Sequence, residues 1–117
     1  MGNGRRRLSD GAVRVVVFQE GAFLVAQCLE YDIAVQAPSF GELRPRFEKT
    51  MVAHMMLALE HGDQPFEKLA PAPDLYWEMF EKAEKGGKFA ARFELNYPGR
   101  SMPLENRTPR SAEVALA

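Results

Sequence analysis

A chain of 117 residues with 46% hydrophobic and 26% charged residues has the make-up of one soluble globular domain and excludes wholesale disorder or a membrane-spanning bundle. A formal net charge of −1 excludes steering toward polyanions by the field of the whole protein, so any nucleic-acid contact has to come from a local patch. The single cysteine, Cys28, excludes an internal disulfide and fits a reducing cytoplasm.

Residues 1–11 carry two early glycines and the triplet Arg5, Arg6, Arg7 with almost nothing to bury, which reads as a flexible leader. The triplet is like a signal-peptide start. The apolar run Val15 to Phe18 is broken by Gln19 and Glu20, however, so neither an export segment nor a membrane anchor is expected.

The domain is expected over residues 12–97. Val13, Val15 and Val17 alternate with Arg14, Val16 and Phe18, a β-branched run that predicts a strand whose second face is only partly polar. Glu20-Gly21 predicts a tight hairpin connection into a second strand, Phe23 to Cys28. Tyr31, Ile33 and Val35 then alternate with Asp32, Ala34 and Gln36, the pattern of a half-solvated third strand that completes an antiparallel meander.

Pro38 ends that strand, and Ser39 with Glu42 three residues later predicts a capped helix start. Leu43, Phe47, Met51, Met55 and Leu59 recur every four residues and predict a buried stripe up to a stop at Gly62, with a bend or a later true helix start at Pro45. After a Pro-spaced connector, Asp74 is expected to cap a short second helix ending at Gly86-Gly87. Its Tyr76, Trp77 and Phe80 cover more than one face, so part of this aromatic surface is expected to meet another chain. Lys88 to Tyr97 alternate with period two and predict a fourth strand. Residues 98–117 read as a flexible tail, with Ser111 to Ala117 able to turn helical against a partner.

No constellation for chemistry is legible, and no catalytic, cofactor-binding or metal-binding residue is assigned. His54 and His61 are seven apart, about 10 Å along a helix, too far for both imidazoles to reach one ion. Asp32, Glu30 and Glu94 fall where an open sheet face needs solvated groups. Cys28 has no nearby His or Lys in sequence, and Ser9, Ser39, Ser101 and Ser111 lack a nucleophile-elbow context. Gly2, Gly4, Gly11 and Gly21 follow no phosphate-loop spacing. Basic residues gather only in Arg5 to Arg7 and in Arg100, Arg107 and Arg110, which leaves nucleic-acid binding through the termini as the alternative function.

The segment "FLVAQCLEYDIAVQAPSFGEL", with Ser39 at the helix cap, resembles the HicB-like antitoxin family. That resemblance implies an α+β, partial ribonuclease H-like fold: a three-stranded antiparallel meander, a long helix, and a further strand joining the sheet. It also implies a non-catalytic, protein-binding role in which the chain masks a small messenger-RNA-cleaving, HicA-like toxin and forms a homodimer or higher oligomer. A homodimer is expected on the chain's own account too, because the methionine-rich first helix and the aromatic second helix carry more apolar surface than four strands cover.

Overall fold

A computed structural model of the chain describes residues 11–87, 89–95 and 109–117. Among these residues one sheet holds five strands: β1 (Ala12–Glu20), β2 (Phe23–Cys28), β3 (Ala34–Ala37), β4 (Phe89–Glu94) and β5 (Ser111–Leu116), in the spatial order β3-β2-β1-β5-β4. Two helices, α1 (Phe40–Glu60) and α2 (Asp74–Lys85), lie between β3 and β4 in the chain. The fold is α+β, as expected.

The β1–β2 hairpin closes with Glu20 opposite Phe23 and turns at Gly21 and Ala22, where Gly21 has φ +61 with nothing near a would-be Cβ. The turn therefore requires glycine for its backbone conformation alone. The third strand is shorter than its alternation predicts. Tyr31 to Ile33 turn through a corner in which the Cys28 N–H donates to the Ile33 carbonyl, and Tyr31 stacks on Phe66 at 4.8 Å. Phe66 is buried with φ +63, a left-handed conformation costly for an aromatic residue.

Residues 109–117 correct the reading of 98–117 as a tail with a helical end. Ser111 to Leu116 form β5, parallel to β1 in the register Ala12↔Ser111 to Val17↔Leu116 and antiparallel to β4. The strand is central, so its backbone groups are satisfied on both sides. Ala112 and Val114 bury toward α1, whereas Ala115 buries toward α2. Residues 1–10 and 98–108, the rest of the expected leader and tail, lie outside the described residues.

Because β1 has neighbours on both sides and a helix over each face, its alternation separates two apolar cores. Val13, Val15 and Val17 join Leu43, Phe47, Met51 and Met55 of α1, which lies over β3 and β2. Val16 joins Trp77, Phe80 and Ala83 of α2, which lies against β5 and β1. Burying each of these large side chains contributes about 2 kcal/mol of transfer free energy.

Ser39 is the N-cap of α1, but its hydroxyl donates to Glu42 Oε2 at 3.0 Å and makes no bond to the helix backbone. The helix then runs through Pro45 without interruption. The four-residue stripe does not stay buried to its end. A step of four overshoots the helical period by about 40°, so four steps from Leu43 rotate Leu59 by roughly 160°, and Leu59 is exposed along with Met56 and Leu57. Asp74 is the first residue of α2 rather than its cap, which is Pro73.

Candidate functional site

Among the described residues, α1 covers the β3–β2 side of the sheet and leaves the β5–β4 side open. The result is an apolar cleft of about 600 Å³. Val15 and Val17 of β1 and Val114 and Leu116 of β5 form its floor, as their alternation on the α1 face dictates. Leu43 and Phe47 form one wall, Phe93 and Leu95 the other, and exposed Phe40 stands at the mouth.

Among the described residues one charged side chain lines the cleft, that of Arg44. Its side chain reaches from α1 to the outer strand: Nη2 donates to the Glu94 carbonyl oxygen at 2.6 Å, and the guanidinium carbon lies 4.9 Å from the Phe93 ring centroid. Its acidic neighbour is Glu48, one helical turn on, with Nε to Oε2 at 3.5 Å. A single cation thus straps a carbon-lined trough.

On the opposite face a second arginine is built into the core. Arg14 is buried on β1; its backbone N–H donates to Glu30 Oε1 at 2.7 Å and its Nε to Glu30 Oε2 at 2.8 Å. The guanidinium lies 4.9 Å from the Trp77 ring, and the indole N–H donates to the Ala72 carbonyl at 3.1 Å. This set ties β1, the corner after β2 and α2 together.

Trp77 and Phe80 are buried in that second core and offer no surface to another chain, which corrects their assignment as partner contacts. Only Tyr76 of the aromatic trio is partly open, and it stacks on Phe18 at 5.9 Å. Five strands, where four were expected, give α2 a floor wide enough to bury the other two.

The ionisable candidates stay apart. Asp32 accepts from Gln27 Nε2 at 2.9 Å, Glu94 is exposed at the end of β4, His54 is half-buried on α1, and His61 is its exposed C-cap. Among the described residues no three His, Cys, Asp or Glu side chains are grouped to hold a metal ion. Cys28 is fully buried, and burial pushes its thiol up to about 12, which leaves it protonated at neutral pH. Ser39 and Ser111 serve the α1 cap and β5, and Ser111 Oγ accepts from Arg92 at 3.3 Å. Arg5 to Arg7, Arg100, Arg107, Ser9, Ser101, Gly2 and Gly4 lie outside the described residues; Arg110 is exposed beside Gly11. Among the described residues no helix is long and apolar enough to cross a membrane.

The cleft and its arginine strap escape sequence reasoning because the cleft's width depends on β5. The one local signal was Arg44 beside the apolar stripe of α1. Comparison of the chain with family models, with curated proteins and with solved structures finds no match.

Proposed function

We propose that the chain is a non-catalytic protein-binding module of the HicB antitoxin type, acting in the cytoplasm by docking and masking a small basic RNA-cleaving toxin. The observation that carries this reading is the place of β4 at one end of the sheet. A terminal strand offers a row of backbone donors and acceptors for strand addition. The Leu95 N–H donates inward to the Arg110 carbonyl, so the alternation of an antiparallel ladder turns the backbone groups of Arg92 and Glu94 outward, with the Glu94 carbonyl already accepting from Arg44. Four residues make β3, at the other end, a shorter template.

Self-association belongs to the same proposal. Met56, Leu57 and Leu59 are exposed on the last turns of α1, and pairing with a second copy removes this apolar surface from water. Light scattering is expected to give a dimer mass that falls to monomer in Met56→Glu/Leu59→Glu.

The docking reading is tested by co-expressing the chain with the product of the neighbouring reading frame, under a growth assay for toxicity. Rescue of growth and co-purification are the expected results, both lost in Arg92→Pro, which removes an outward N–H from β4 while circular dichroism stays that of the parent. Absence of any complex, or capture undiminished by Arg92→Pro, defeats the edge-docking reading.

A further inference from the structure

We propose that the cleft between α1 and the β1–β5–β4 part of the sheet binds a small amphiphilic monocarboxylate, a fatty-acid-like molecule whose chain lies on Val17, Val114 and Leu116 and whose carboxylate pairs with Arg44. This site lies on the α1 face of the sheet and meets the outer backbone of β4 at one point, the Glu94 carbonyl that accepts from Arg44; its test reads small-molecule binding alone, so its failure is distinguishable from a failure of protein docking.

Three observations set the ligand chemistry. The first is size: about 600 Å³ lies within the roughly 300–1,000 Å³ of small-molecule sites. A partner helix is excluded by width, because an α-helix with side chains is about 10 Å across, whereas one arginine side chain spans this trough from α1 to Glu94. An extended alkyl chain is narrow enough to lie beneath it. The second is polarity. Valine, leucine, alanine and phenylalanine side chains dominate the lining, so the body of the ligand is hydrocarbon.

The third observation is charge. Among the described residues Arg44 is the only ionisable one lining the cleft, which favours an anionic head over a cationic one. Its contact with Glu48 at 3.5 Å is longer than the roughly 2.7–2.9 Å of a strong charge-assisted hydrogen bond. A guanidinium carries five N–H donors in a planar fork suited to a carboxylate. A ligand carboxylate at the mouth therefore meets a guanidinium that Glu94 and Phe93 hold in place and whose ion pair with Glu48 is long.

Calorimetric titration of the full chain with decanoate, decanol and decylamine tests the proposal. Decanoate is expected to bind saturably at one site per chain, with decanol and decylamine weaker by about tenfold or more, the scale of one charge-assisted contact. Arg44→Gln is expected to reduce decanoate to the decanol level, and Leu116→Trp, which fills the half-buried floor position, to abolish binding of all three. Methyl chemical shifts of the unsubstituted chain locate the ligand without any mutation, with changes centred on Val17, Val114 and Leu116. No saturable binding of decanoate, equal affinity for decylamine, or shifts centred away from these methyls overturns the proposal.

Discussion

Arg14 and Glu30 are joined twice, through the Arg14 backbone N–H at 2.7 Å and its Nε at 2.8 Å, so one carboxylate satisfies both the main chain and the side chain of the same residue. The arginine is buried and the glutamate partly so. Removing the acid takes one partner from a buried cation and the acceptor from the Arg14 N–H, and that loss exceeds the value of an exposed ion pair. Glu30→Ala is expected to lower unfolding free energy by about 2–3 kcal/mol in urea titrations. Arg14→Met with Glu30→Ala is expected to restore part of this, since the buried charge is then gone.

Burial holds the Cys28 thiol protonated up to about 12, against an ordinary value of 9.0. The unfolded chain loses this proton first, so between these values the native state binds more protons and unfolding free energy falls as pH rises. The contribution is fully present below pH 9 and is lost on the way to 12. Urea midpoints measured from pH 8 to pH 11 are expected to decline more steeply in the parent than in Cys28→Ala. A thiol-reactive dye at pH 8 is expected to label the native chain slowly and the urea-unfolded chain rapidly.

Phe66 combines a buried ring with φ +63. Truncation to alanine removes the ring and keeps the left-handed penalty of about 1 kcal/mol, whereas glycine removes both. Both variants are expected to be destabilised by loss of the contact with Tyr31. Phe66→Gly is expected to be the more stable of the two by about 1 kcal/mol, the reverse of the usual order. Equal urea midpoints for the pair contradict this account.

Deleting residues 109–117 takes out the strand between β1 and β4 together with buried Ala112, Val114 and Ala115. The truncated chain is expected to lose its cooperative thermal transition, whereas a free tail could be cut without consequence. Differential scanning calorimetry separates the two outcomes.

Much of this fold is legible locally. Strands β1 and β2 and helix α1 announce themselves because valine-rich alternation, Glu20-Gly21 and the Leu43–Met55 stripe each act within one element. The strand β5 is hidden by its composition. "SAEVAL" alternates, yet alanine and glutamate are helix formers and only Val114 is β-branched; pairing with β1, remote in sequence, decides its state. The missing strand then hid two further features. Trp77 and Phe80 look like surplus apolar surface until a fifth strand floors them, and the cleft has no outer wall until β4 moves one place further from β1.

The parallel pairing of β1 with β5 also orders events as the chain is made. The hairpin, α1 and α2 all emerge while the outer flank of β1, with its valines, waits for a strand almost a hundred positions away (Ala12↔Ser111). Such distant closure is slow relative to local contacts, and an unpaired apolar flank invites intermolecular pairing in the interval. The nascent chain is therefore most prone to aggregation just before β5 slots home, and a chaperone that shields that flank would raise the yield of folded protein more than one that protects either helix.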